Sequence, residues 1–210
     1  MTALPWYIAR SAGLVAWALL TASVVWGLVM STRSRPFGHR PRPAWMLDLH
    51  RWLGGLATIF VGVHVLALLA DSYVHFTLLS VLVPFAGSWR PAAVAWGVVG
   101  LYLLLAVELT SLARRRLPKR AWRAVHFASF PLFLLATAHA LTAGTDAGSW
   151  AFVTAATTSV LGVAALTAKR IADSTRVPEP DAGGARARVT AARRATATPA
   201  RIPTGAATRA

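Results

Sequence analysis

The 210 residues are 56% hydrophobic and 14% charged, with a mean hydropathy of +0.53, a balance too apolar for a water-soluble globule or a large soluble catalytic domain. No cysteine is present, which excludes disulfides, iron-sulfur clusters, thiolate-bound zinc and covalently attached c-type haem. The formal charge of +15 rests on 22 basic residues, and in a membrane chain their placement carries more information than their number.

Five apolar stretches approach the roughly 20 residues a helix needs to cross a hydrocarbon core. The first runs from Trp6 to Met30, interrupted only by Arg10. It exceeds the 7 to 15 apolar residues of a signal peptide, and Ser31-Thr32-Arg33-Ser34-Arg35 follows it as a stop-transfer pattern. Helix 2 is predicted over Leu47 to Ala70, helix 3 over Ala92 to Ala113, helix 4 over Trp122 to Ala143 and helix 5 over Ser149 to Ala168. Ser72 to Trp89 is also uncharged, but Pro84 and Gly87 interrupt it.

The charge map decides between five spans and six. With five, the segment of Arg33, Arg35, Arg40 and Arg42, the cluster from Arg114 to Arg123 and the C-terminal tail share one side, which the positive-inside rule makes cytoplasmic. Only Arg10 and Arg90 fall on the other side. Ser72 to Trp89 is therefore read as an interfacial or re-entrant segment on the outer face. The fold class is an all-α integral membrane bundle with the N-terminus outside and the C-terminus cytoplasmic.

Two regions follow. Residues 1–170 form the transmembrane domain, and residues 171–210, rich in Ala, Arg, Thr, Pro and Gly, form a disordered basic cytoplasmic tail. Just past a membrane helix, such a tail attracts anionic lipid headgroups; nucleic acid is the weaker reading.

Ionisable side chains inside membrane helices are costly, and each one is a functional hypothesis. His50 and His64 lie on helix 2 with thirteen residues between them, and His126 and His139 on helix 4 with twelve between them. At ~1.5 Å rise per residue each pair is split by about 20 Å along its helix. Helices 2 and 4 run parallel, so His50 is level with His126 and His64 with His139. Two facing imidazoles at each of two depths is the arrangement that axially ligates two stacked haems. A lone buried histidine is ordinarily structural, and four at matched depths are not explained by packing. One difficulty stands: thirteen steps at about 100° leave His126 and His139 about 140° apart on an ideal helix. Pro131 lies between them, and a kink there changes the local phase.

These residues carry a family resemblance. Trp6-Tyr7-Ile8-Ala9-Arg10-Ser11-Ala12-Gly13, Leu49-His50-Arg51 with His64 beyond, and Trp122-Arg123-Ala124-Val125-His126 with His139 beyond resemble the ferric reductase-like transmembrane domain. NADPH oxidases, ferric reductases and the haem-binding membrane subunit of the bacterial periplasmic methionine-sulfoxide reductase system share that domain, and the likeness covers roughly residues 5 to 170. It implies two b-type haems, the inner held by His50 with His126 and the outer by His64 with His139. It also implies transmembrane electron transfer in a bacterial stand-alone form. The chain shows no glycine-rich nucleotide fingerprint, so no flavin or NADPH site is expected in it. A separate flavoprotein or membrane quinol is expected as electron donor, with a small-molecule or periplasmic-protein acceptor at the outer face.

Haem propionates call for cationic partners, and Arg51 and Arg123 at the inner face and Arg10 at the outer are the candidates. Snorkelling to lipid phosphate is the competing role. Trp45, Trp52, Trp89 and Trp122 are read as interfacial anchors, and Glu108 as the partner of the basic end of helix 3 in preference to a proton relay. His39 and His75 are read as surface residues. Asp71, Tyr73, His75 and Asp146 lie near the outer haem, where helix capping competes with acceptor docking. No side chain is expected to act as acid, base or nucleophile. Two other functions are open: a haem-binding subunit that passes electrons to a separate periplasmic reductase, and a haem-free transporter or scaffold.

Overall fold

The computed structural model describes residues 4–32, 44–72 and 74–175. Residues 33–43, which include Arg33, Arg35, His39, Arg40 and Arg42, together with Tyr73 and residues 176–210, lie outside the described residues. The described part is helical, in the order α1 (Leu4–Ser31), α2 (Ala44–Ala70), α3 (Leu78–Leu82), α4 (Pro91–Leu112), α5 (Lys119–Phe127), α6 (Ser129–Ala143), a 3-10 turn (Thr145–Gly148) and α7 (Trp150–Thr175).

Five helices among the described residues are long and apolar enough to cross a membrane, the α5–α6 segment Lys119–Ala143 counting as one. They correspond one for one to the predicted spans, and the protein is a multi-pass membrane protein. The segment after α2 is not a sixth. Its only helix among the described residues is α3, closed at its start by a reciprocal cap between Thr77 and Ser80. Asp71 caps locally, its carboxylate accepting from the Val74 amide at 3.1 Å. α7 continues to Thr175, seven residues past the predicted end of helix 5 and into the region assigned to the tail.

Close helix approach is built from small residues. Ala9, Ala12, Ala16 and Ser23 of α1 and Ala57 of α2 are buried, as expected where helices associate by backbone proximity rather than by expelling water. Indole N–H groups add cross-links: Trp17 donates to Thr137 Oγ1 at 3.1 Å, tying α1 to α6, and Trp26 donates to the Met46 carbonyl at 2.8 Å, tying α1 to the start of α2. Val24, Leu28, Phe133 and Val163 bring α1, α6 and α7 together in one buried cluster. Large apolar side chains such as Ile59, Leu66, Leu109 and Leu161 face outward, where hydrocarbon replaces water as the solvent.

The fourth span is broken rather than bent. α5 ends at Phe127, Ala128 forms the junction, and α6 starts at Ser129. Pro131 has no amide hydrogen for the Phe127 carbonyl and its ring collides with that group, which ends the preceding helix there. The break falls between His126 and His139, so the 140° phase difference of a continuous helix does not apply.

Candidate functional site

Each α2 histidine meets one from the fourth span. The His50 and His126 ring centroids are 6.0 Å apart with ring planes at 78°, and those of His64 and His139 are 6.3 Å apart at 81°. The four residues are thus brought together in the two pairs expected from their depths. His50 and His126 lie towards the end of the bundle that carries Arg114 to Arg123, here the basic end, and His64 and His139 towards the opposite end.

Three of the four rings are oriented by main-chain carbonyls. His64 Nδ1 lies 2.7 Å from the Ala9 carbonyl oxygen, His139 Nδ1 2.8 Å from that of Ala93, and His50 Nδ1 3.1 Å from that of Ser23. A carbonyl only accepts, so each Nδ1 carries the hydrogen and each Nε2 presents its lone pair. A hydrogen bond of this kind, on the nitrogen away from the metal, fixes the tautomer of a metal-binding imidazole. His126 departs from it: its Nδ1 is buried with no hydrogen-bond partner, and its ring stacks on Trp122 at 5.0 Å.

Glycines make room for the anchored rings, a feature that sequence reasoning missed. A Cβ on Gly13 would stand 2.9 Å from His64 Nδ1, one on Gly97 2.8 Å from His139 Nδ1, and one on Gly27 3.2 Å from His50 Cε1. In every case the accepting carbonyl belongs to the residue four before the glycine: Ala9 and Gly13, Ser23 and Gly27, Ala93 and Gly97. The signal was present in the sequence, because Gly13 and Gly27 have the same separation as His50 and His64. Antiparallel packing of α1 against α2 then sets each histidine against its glycine.

The His64–His139 pair opens on a predominantly apolar cavity that Gly13, Gly97, Leu101 and Leu104 also line and that Trp6, Arg10, Trp89 and Asp146 reach. Arg10 pairs with Asp146 at this end, its Nε donating to Oδ2 at 2.8 Å and its Nη2 to Oδ1. That hydrogen-bonded guanidinium holds the Asp146 carboxyl below the usual carboxylate range. Arg90 donates to the Thr142 carbonyl at 2.9 Å.

The remaining candidates are placed differently from one another. Arg51 is exposed and lies 3.4 Å from Asp48 one helical turn away, and Arg123 is exposed on α5. Trp122, expected to be an interfacial anchor, has its Nε1 buried and its ring against His126. Glu108 pairs with no described basic residue; Arg114, at the basic end of that helix, lies over the Trp122 ring at 4.7 Å. The Glu108 carboxylate is directed at Gly54, where a Cβ would be 3.6 Å from Oε2.

The family model described as ferric reductase like transmembrane component matches residues 12–137. The chain belongs to this family. The matched stretch contains His50, His64 and His126, begins just after Arg10 and stops two residues before His139. Neither the curated proteins nor the solved structures include a match to the chain. Family membership agrees with five apolar spans and with a role inside the membrane.

Proposed function

We propose that this ferric reductase-like chain carries electrons across the membrane through two b-type haems, His50 and His126 holding the cytoplasmic-side one and His64 and His139 the outer. The single observation that carries this reading is the spacing of the rings. Two imidazole nitrogens at about 2 Å from one shared metal, with each ring centroid about 1 Å further back, give centroids ~6 Å apart. The two pairs stand at 6.0 and 6.3 Å. Metal-binding clusters of three or more His, Cys, Asp or Glu are absent among the described residues, whereas a bis-histidine haem needs two protein ligands only.

A bound haem supplies a one-electron couple. The protein's part is to fix ring direction through the Ala9, Ser23 and Ala93 carbonyls, to leave space at Gly13, Gly27 and Gly97, and to surround the outer pair with apolar side chains. Arg10, Arg51 and Arg123 supply guanidinium groups for propionates, Arg10 while it also pairs with Asp146. His64 and His139 would hold the outer haem between them, and an electron would leave it with no side chain of this protein acting as acid, base or nucleophile. A flavoprotein or quinol donates at the cytoplasmic face, and a small molecule or a periplasmic protein accepts at the outer face. The basic tail adds attraction to anionic lipid.

Haem content and spectra of the purified protein and its histidine variants test this reading. His64→Ala and His139→Ala are expected to remove the same haem and His50→Ala the other. A colourless protein, as a transporter or scaffold would be, overturns it.

A further inference from the structure

Three buried side-chain polar atoms among the described residues have no hydrogen-bond partner: Ser111 Oγ, Trp122 Nε1 and His126 Nδ1. All three belong to the corner where α4 meets α5. Trp122 stacks on His126 one turn away, and Arg114, three residues after Ser111, lies over the Trp122 ring at 4.7 Å. Orphans of this kind are rare in folded proteins, and three of them on two adjoining helices point to a place where solvent belongs.

The corner also interrupts a repeated construction. His50, His64 and His139 each use a carbonyl and the glycine four residues after it. Fourteen residues beyond Gly97, nearly a whole number of turns along α4, the corresponding place is taken by Ser111. By the same count the corresponding carbonyl is that of Val107, which already accepts from the Thr110 hydroxyl at 3.2 Å in addition to the helix. By this repeat, the place that glycine takes for the other three rings falls to a hydroxyl-bearing residue for the fourth.

We propose that Ser111, Trp122 and His126 enclose a buried water site that replaces the missing carbonyl, making Ser111 and Trp122 positioning residues for His126. The hydrogen-bond count closes. Trp122 Nε1 is a donor only, and with Nε2 directed to the His50 side, His126 Nδ1 is a donor as well. One water oxygen accepts both and donates to Ser111 Oγ, making the three bonds typical of a buried water. Its redox consequence rests on the haem reading above. An acceptor on Nδ1–H makes the imidazole a stronger metal ligand, so weakening that acceptor favours the reduced iron.

The test uses the full chain purified with its haem. Optical redox titration is expected to show Ser111→Ala moving one haem transition, the one that His50→Ala removes, to more positive potential. The other transition stays in place, and Ser111→Thr, which keeps the hydroxyl, returns the wild-type value. If Ser111→Ala moves neither transition, or both equally, the proposal is overturned. A density map that resolves ordered solvent gives a haem-independent answer: a peak within hydrogen-bond distance of all three atoms is expected, and its absence rejects the site. A chain that holds no haem but shows the peak refutes electron transfer and leaves the water site standing.

Discussion

Gly97→Ala is a one-methyl test of the outer pair. The new Cβ would stand 2.8 Å from both Cε1 and Nδ1 of His139 and 3.1 Å from Nε2. Comfortable contact begins at about 3.5 Å, so the ring and the helix have to separate by about 0.7 Å. Neither side yields easily, because the methyl is fixed to the backbone and the ring is held by its 2.8 Å bond to the Ala93 carbonyl. A retreat of that size stretches the bond to about 3.5 Å, the limit of a hydrogen bond. Overpacking of this kind costs about 1–3 kcal/mol, and the displacement exceeds the ~0.5 Å within which a ligand constellation stays productive. The assay is a pyridine haemochrome measurement with a reduced-minus-oxidised spectrum on detergent-purified protein. Haem per chain is expected to fall from about two to about one, with loss of the component that His64→Ala removes. Gly62→Ala, whose added Cβ meets nothing within 4 Å, serves as the control and keeps both haems. A Gly97→Ala protein with wild-type haem content and spectrum would refute the reasoning.

Further outcomes follow from the same geometry. Gly13→Ala is expected to act on the same haem as Gly97→Ala, whereas Gly27→Ala, with its Cβ at 3.2 Å from His50, perturbs the other haem and more mildly; equal losses in all three would contradict the clearance argument. Pro131→Ala is expected to rejoin α5 and α6, turn His126 about 140° from His139 and deplete the haem that His50→Ala removes, and unchanged spectra would show that the break does not set the phase. Asp146→Asn removes the partner of Arg10 outside the spans. Since the folded carboxyl is held below its unfolded value, the stabilisation is fully present above about pH 4 and is lost as pH falls through the depressed value. The melting temperature of wild type should therefore exceed that of Asp146→Asn at neutral pH and converge with it in acid. A gap that persists at low pH would count against the ion pair.

The spans and the pairing of the histidines were legible because both depend on quantities a sequence displays. Charge-free length identifies a membrane helix, and the separations of His50 from His64 and of His126 from His139 fix depth without knowledge of side-chain direction. What was not legible depends on neighbours. Gly13, Gly27 and Gly97 read as ordinary small residues in apolar helices until the antiparallel register sets them under imidazoles. Pro131 announced a disturbance, but that it ends the helix instead of bending it is visible only at the Ala128 junction. Arg10 was assigned to a propionate on depth alone, and the turn that brings Asp146 to it lies more than a hundred residues away. Trp122 was placed in the interfacial belt by its position near a helix end, and the stacking on His126 follows from the helix phase of α5.

The most direct test of the central claim is the dithionite-reduced minus oxidised spectrum of the purified chain, quantified as pyridine haemochrome. Two b-type haems per chain, one lost with either His64 or His139 and the other with either His50 or His126, is the result expected of two bis-histidine sites. A protein that folds in the membrane with ample haem supply and still carries none would contradict the account.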